Sequence, residues 1–432
     1  MTVEVRPAPA PAAKRVRRPA AASRGRVGRR RAVPGWAGRV VLLLGVVLVA
    51  LGAWNYVRPI PAVAATSFRS AQTSIEGSAP ALPWPSVGSA AVGASGLGLI
   101  AANGNVAPAP AASVAKVMTA LVLLGDKPLA MGDAGPVLVI TEQDVATYLR
   151  DAAEQQSVVP VAAGEQLSEF QALEALLIPS GNNIAETLAR WDAGSVASFI
   201  LKMNQSAAAL GLTHTTFADP AGVSTQTVST PADLVALGMA AMQLGVLAQV
   251  VGLPQAILPV AGTVYNVNSA LGQSGIIGIK TGSGLDLGAN FLFAASATVG
   301  GQTLTLYGCV MGQPTLDAAF NEAEALISAM QPALSVHKVI ARYDVAGDYE
   351  TPWGTHADLV ATMDVTLVEW PGMILRQSLD APAVAGDGTV PTGASEGKLH
   401  IVLGDQQVDV PLVTGGSLDP PGLWWRLSRI SF

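Results

Sequence analysis

Residues 112–120 read ASVAKVMTA: one serine and, three positions on, one lysine, in a run otherwise small and apolar. An ammonium group is costly to bury among apolar side chains unless it is paired or neutral. Such a lysine therefore either reaches out to water or has a chemical task. On a helix, positions i and i+3 share a face, so Ser113 and Lys116 are within reach of each other. The preceding PAPAA disfavours helix through its prolines, which places Ser113 at a helix opening, where its N–H has no intrahelical partner. A serine hydroxyl becomes a nucleophile when a base takes its proton. A lysine serves as that base when an apolar site or a second cation keeps it neutral. Ser-x-x-Lys alone is a weak signal, and another copy, Ser395–Lys398 in a glycine-rich loop, reads as chance.

Two further polar groups interrupt apolar runs downstream. LLIPSGNNIAETLARW (176–191) sets Ser180 and Asn182 between two helical patterns. Taken alone, this is a helix–helix turn. GIKTGSG (278–284) sets Lys280, Thr281, Gly282 and Ser283 in an apolar strand, where a glycine lets another backbone, such as a substrate's, lie close. Around them, SAAVGASGLGLIAANG (89–104) predicts two strands about a turn. From 113 to about 250 the spacing is helical, with Pro231 suited to a first helical position. After 275 the period changes: GIIGIKTGS, NFLFAASATV and LTLYGCVMG predict three strands, and 315–330 returns to helix. From about 335 the chain is valine-rich and alternating, a small β-rich unit ending in PPGLWWRLSRISF. Trp424 and Trp425 in that ending fit either a membrane foot or, more commonly, the core or edge of a small domain.

Half of the 432 residues are apolar and 13% are charged, and the mean hydropathy is +0.41. The net charge of −6 hides an asymmetry: 11 of the 25 Lys+Arg precede residue 58, against the single acid Glu4, so the other 375 residues carry 14 bases and 30 acids. The basic block is a Pro/Ala/Arg tail without interleaved aromatics, which argues against nucleic acid. Residues 40–57, VVLLLGVVLVALGAWNYV, are uncharged and about long enough to cross a bilayer, with arginines on the near side that put the N-terminus in the cytoplasm. PAVAA (61–65) offers a signal-cleavage pattern ending at Ala64, the alternative to a retained anchor. Both readings place the rest of the chain outside the membrane. The single cysteine, Cys309, reads as a buried core residue, and the four scattered histidines offer neither a zinc motif nor a Ser-His-Asp triad.

Ser-x-x-Lys, Ser-x-Asn and Lys-Thr-Gly, in this order, resemble the motif set of penicillin-binding proteins and class A β-lactamases. The Ser-Gly-Asn variant is similar to the D-alanyl-D-alanine carboxypeptidases of the low-molecular-weight penicillin-binding group. So are VAAGEQLSEFQALEALLIPSGNNIAETLA, FILKMNQSAAALGLTHTTFADPAGVSTQTVSTPADLVALG and VYNVNSALGQSGIIGIKTG; together the likeness spans about residues 85–330. It implies an α/β, transpeptidase-like fold: a five-stranded antiparallel sheet packed on helices, with a helical subdomain and a cleft between. The organisation expected is a basic tail (1–39), a membrane segment (40–57), a Pro/Ala/Ser-rich linker (58–84), the peptidase domain (85–332) and a C-terminal β-rich domain (333–432).

The same resemblance implies the roles. Ser113 attacks the carbonyl between the last two D-alanines of a peptidoglycan stem peptide, Lys116 is its base, Ser180 relays a proton to the departing amine, and Asn182 holds the peptide amide and orients Lys116. Lys280 and Thr281 bind the terminal carboxylate, and the N–H groups of Ser113 and Ser283 form the oxyanion hole. β-Lactams are the implied inhibitors, and no metal or cofactor is called for. The alternatives are a catalytically silent wall-binding scaffold of the same fold, or a β-lactamase. The latter would carry a glutamate after the second motif, where Glu165 and Glu174 come too early and Glu186 reads as a solvated helix face. Leu285, Asp286 and Leu287, where the family suggests a glycine pair, are expected to reshape the rim of the cleft.

Overall fold

A computed structural model of the chain describes residues 35–104, 107–284 and 287–429. Ile60–Pro420 forms one compact unit, and residues 35–59 form a second with residues 421–429. The larger unit is built on a five-stranded antiparallel sheet. Strands β3 (Ser89–Ala94) and β4 (Gly98–Asn103) form a hairpin, and β5 (Ile276–Gly284), β6 (Gly288–Val299) and β7 (Gln302–Gln313) form a meander. The sheet order is β5-β6-β7-β3-β4, with Leu306 of β7 paired to Ala94 of β3.

Both faces of this sheet are covered, which is why its strands read as unbroken apolar runs rather than alternating ones. Leu292, Ala294, Tyr307 and Cys309 face a core shared with the helices between the two strand sets: α2 (Lys116–Asp126), α3 (Glu142–Ala153), α4 (Glu169–Leu177), α5 (Asn182–Ala193), α6 (Val196–Ala209), α7 (Pro231–Met242) and α8 (Gly245–Val251). Alternate residues, Phe291, Phe293, Leu306 and Val310, face α9 (Leu316–Met330) on the other side. Local chemistry sets the helix starts. Thr141 and Ser168 open α3 and α4 with reciprocal capping boxes, and Thr230 caps α7 ahead of Pro231.

Two expectations are corrected. The 58–84 segment is not a plain linker: β1 (Ala65–Ser67) and β2 (Gln72–Ser74) are the two edges of a seven-stranded C-terminal sheet. That sheet also contains β8 (Val345–Glu350), β9 (His356–Ala361), β10 (Ile374–Asp380), β11 (Ser395–Leu403) and β12 (Gln406–Thr414), in the order β1-β8-β9-β12-β11-β10-β2. The β-rich part packs directly on the peptidase part. Its Leu359, Leu399 and Leu412 join Phe291, Leu326 and Met330 in one core, and the Asp405 N–H donates to Gly96 O at 2.9 Å across the turns of two hairpins. Finally, the last residues leave the β-rich part. α10 (Leu423–Ser428) belongs to the smaller unit with α1 (Gly35–Val57), an apolar helix that begins five residues earlier than expected. Residues 1–34 and the rim positions Leu285 and Asp286 lie outside the described residues.

Candidate active site

Ser113 lies in a 3-10 turn, Ala112–Ala115, and Lys116 is the first residue of α2, so the serine precedes the α-helix rather than opening it. In a 3-10 turn positions i and i+3 eclipse, which aligns the two side chains. Lys116 is fully buried. Its Nζ is 2.8 Å from Ser113 Oγ, 2.6 Å from Asn182 Oδ1 and 2.9 Å from Ala221 O. Burial lowers the Lys116 pKa well below the ordinary lysine value. The charge of Lys280 lowers it further, against the opposing pull of Asp219 and Asp151. A neutral amine has two N–H bonds, and here two oxygens, Asn182 Oδ1 and Ala221 O, stand ready to accept them. Its lone pair then points at the serine hydroxyl.

Asn182 begins α5 directly after Gly181, and its orientation is fixed from behind. Nδ2 donates to Gln156 Oε1 at 2.8 Å, and Gln156 Nε2 donates to Glu154 Oε2 at 2.7 Å. The next residue, Asn183, exchanges two hydrogen bonds of 2.9 Å with the Val159 backbone, holding the loop that carries Gln156. Ser180 is buried in the left-handed region, at φ 66°, and its hydroxyl has no partner among the described residues. Strain of this kind persists where the surroundings over-determine it, as they do at functional sites.

On the opposite wall, β5 places Lys280 and Thr281 in the interior and leaves Ser283 exposed beside a cavity of about 480 Å³. Lys280 is buried rather than snorkelling. Its Nζ donates to Thr281 O at 3.1 Å, and burial lowers its pKa to about 7. Gly282 is the point of closest approach: a Cβ there would lie 2.9 Å from the Ser113 nitrogen and 3.1 Å from Ala111 O. The glycine thus admits the serine's own turn, not only a substrate backbone. Across the strand pair from Gly282 sits Asn290, which donates to Pro110 O at 2.9 Å and accepts from the Gly312 N–H at 2.9 Å.

Of the residues the sequence singles out, Lys116, Asn182 and Gly282 lie around Ser113 and its lysine, while the residues that position them were missed. Asp219 accepts the N–H groups of Ala221 (2.8 Å), Gly222, Val223 (3.1 Å) and Ser224 (2.9 Å), and the Thr227 hydroxyl (2.8 Å). This loop presents Ala221 O to Lys116, and Pro220 O accepts from Thr119 Oγ1 on α2 at 2.6 Å. Gly222 has φ +79°, and a Cβ there would fall 1.8 Å from Ala112 O, so loop and serine turn meet backbone to backbone. Asp-Pro-x-Gly is a turn signature in its own right and was the available signal. Glu186, the glutamate after the second motif, is held by Arg150 at 2.7 Å and Arg190 at 3.2 Å. It lines, with Asn182 and Ala221, a second cavity of about 310 Å³.

A profile of the D-alanyl-D-alanine carboxypeptidases matches residues 93–315, more than half of the chain and all three motifs. The chain belongs to the D-alanyl-D-alanine carboxypeptidase family. It is 32% identical over 256 residues to a D-alanyl-D-alanine carboxypeptidase of Mycobacterium tuberculosis, covering 56% of this chain and 81% of that one. The Streptomyces K15 DD-transpeptidase structure superposes with a TM-score of 0.50 at 27% identity, over 57% of this chain and 98% of that one. Penicillin-binding protein 5 of Haemophilus influenzae, at 18% identity, shares the fold over 80% of this chain and 100% of its own, with a TM-score of 0.58. Membership of this family makes the chain a serine peptidase of the cell envelope and carries the fold expected from the motifs.

Proposed function

We propose that the chain removes the terminal D-alanine from peptidoglycan stem peptides through an acyl-enzyme on Ser113. The observation that carries this reading is the buried Lys116 amine, 2.8 Å from Ser113 Oγ with acceptors for its other hydrogens. As Ser113 Oγ bonds to the carbonyl carbon, its proton passes to Lys116. The substrate's terminal carboxylate meets Lys280 and the Thr281 hydroxyl, and that carboxylate favours the charged form of Lys280. The N–H groups of Ser113 and Ser283 receive the developing oxyanion, each such donor contributing roughly 3 kcal/mol. The unpartnered Ser180 hydroxyl both donates and accepts, which suits it to pass a proton to the leaving D-alanine nitrogen. Water then releases the shortened peptide.

The enzyme is held at the membrane by α1. Its 23 residues span about 35 Å at 1.5 Å per residue, enough for the ~30 Å hydrocarbon core. The arginine-rich tail before it keeps the N-terminus cytoplasmic and the catalytic unit outside.

Incubating the detergent-solubilised chain with benzylpenicillin and following intact mass tests the acylation. The wild type gains one penicilloyl group and Ser113→Ala gains none. An unmodified wild type would overturn the catalytic reading in favour of a silent scaffold. Release of D-alanine from a D-Ala-D-Ala peptide then tests the substrate.

A further inference from the structure

The cavity of about 310 Å³ beside Lys116 holds charge that the acylation steps leave unused. It lies between α3, α5 and the Asp219 loop, and its size is that of a small-ligand pocket. Asn182 and Ala221, whose oxygens face the Lys116 amine, both line it, so it adjoins the lysine on the α5 side. Asn182 is 6% exposed. One of its two amide hydrogens goes to Gln156 Oε1, and the other has no partner among the described residues. A buried donor left unmet is costly, which marks a place where a bound molecule completes the bonding.

The lining is anionic. Glu186 stands one helical turn beyond Asn182 on the same face of α5. The Arg150 guanidinium beside it is already committed: it donates to Asp151 Oδ1 at 2.8 and 2.6 Å and to Glu186 Oε1 at 2.7 Å. Arg190 is likewise divided between Asp144 at 2.7 Å and Glu186 at 3.2 Å. The two arginines are thus outnumbered by the three carboxylates they bind, before Glu154 and Asp219 are added. The oxygens of Asp219 are taken up by the N–H groups of its own loop. Glu154 has no cation partner among the described residues, and its Oε2 accepts from Gln156 Nε2 at 2.7 Å. Such a lining repels a carboxylate or phosphate and suits an ammonium group.

We propose that this cavity receives a free ammonium at the end of a long side chain on the acyl part of the substrate peptide, with Glu154 and Glu186 as its acceptors. This deepens the carboxypeptidase reading above and rests on it. In that reading Lys280 and Thr281 on β5 take the terminal carboxylate, so the leaving D-alanine occupies that wall and the retained peptide passes Asn182. The second Asn182 N–H holds the main chain of the retained peptide. From there Glu186 is one helical turn away, about 5–6 Å between Cβ atoms, a reach that a side chain of lysine length has. In this role Glu186 reads the substrate rather than facing solvent.

The test compares D-alanine release by the detergent-solubilised full chain from Nα-acetyl-L-Lys-D-Ala-D-Ala and from Nα,Nε-diacetyl-L-Lys-D-Ala-D-Ala. A charge-assisted hydrogen bond is expected to favour the free amine by roughly tenfold in kcat/KM. Acetylation also adds bulk, so Glu154→Gln/Glu186→Gln isolates the charge: glutamine keeps an oxygen for the Gln156 and Arg150 donors, and the ratio of the two peptides is expected to fall to near unity. A thermal melt reports whether the variant is folded. Where it is not, Glu154→Gln alone, at an exposed position, carries the test, and an unchanged ratio there overturns the inference. Equal rates on both peptides in the wild type, or a preference that survives in the folded double variant, would overturn the inference and leave the carboxypeptidase reading standing. Release from neither peptide, by a chain that benzylpenicillin acylates, would overturn the carboxypeptidase reading and this inference with it.

Discussion

Substituting alanine for Gly282 separates the closeness of β5 and the serine turn from everything else at the site. The glycine has no left-handed φ, so the backbone accepts alanine and the penalty is contact alone. The new methyl would sit 2.9 Å from the Ser113 nitrogen, 3.0 Å from Ala112 Cβ and 3.1 Å from Ala111 O. None of these is the flexible end of a long side chain, so the whole 3-10 turn must move away from the strand. Overpacking of this sort costs about 1–3 kcal/mol, which lowers the melting temperature by a few degrees. The larger effect is on chemistry. The atom displaced is the N–H assigned to the oxyanion, and losing one such donor slows turnover by roughly 10²–10³-fold. Intact-mass measurement of the penicillin acylation rate, beside a thermal melt, reads both quantities. Acylation of Gly282→Ala at the wild-type rate, in a protein whose melting temperature has fallen, would refute the assignment of that N–H.

Acylation should follow a bell against pH. It rises as Lys116 loses its proton, below the ordinary lysine range, and falls as Lys280 loses its charge near pH 7 in the free enzyme; a flat profile from acid to alkaline pH would contradict both roles. Lys280→Met should raise the melting temperature while weakening carboxylate binding. Because the folded-state pKa of about 7 lies below the unfolded 10.5, the burial cost of Lys280 is fully present below pH 7 and fades as pH rises toward 10.5. The gain from methionine should shrink over that window, as melts at several pH values will show. Asp219→Asn keeps one carbonyl oxygen but sets an amide N–H₂ against the donors that its other oxygen received, at a cost of about 1–3 kcal/mol. It also removes a negative charge that raises the Lys116 pKa, so the acid limb of the acylation profile moves to lower pH; an unmoved limb would show that the loop acts on Lys116 through shape alone.

The parts of this site legible in the sequence are those made by side chains at fixed short spacings: Ser113 with Lys116, Ser180 with Asn182, and Lys280 through Ser283. The two-faced burial of the central sheet was also legible, because NFLFAASATV has no polar alternation for a solvated face. What escaped are functions performed by the main chain. Ala221 serves through its carbonyl and Gly222 through a missing Cβ, and any small residue looks the same in a string of letters. Gln156 escaped because its partner, Asn182, is 26 positions away and the contact depends on where a loop folds back. The edge strands β1 and β2 escaped because three residues, largely exposed and held by backbone ladders, leave no period to detect. α10 escaped for a related reason, since its support lies at the other end of the chain.

The central sheet is closed by residues far apart in the chain: β3 lies against β7, with Ala94 beside Leu306. Ser113 and Lys116 are made early, yet the strand that backs them, β5, is complete only at Gly284. The helices from α2 to α8 are contiguous and rich in local contacts, so they can gather first, while sheet closure must wait for a long loop to be brought together. A nascent chain halted between Lys116 and Lys280 would hold its nucleophile and base while lacking the wall that makes them reactive. Reactivity then waits on the closing of the central sheet, and a copy halted before β5 cannot trim a peptide or be captured by an inhibitor.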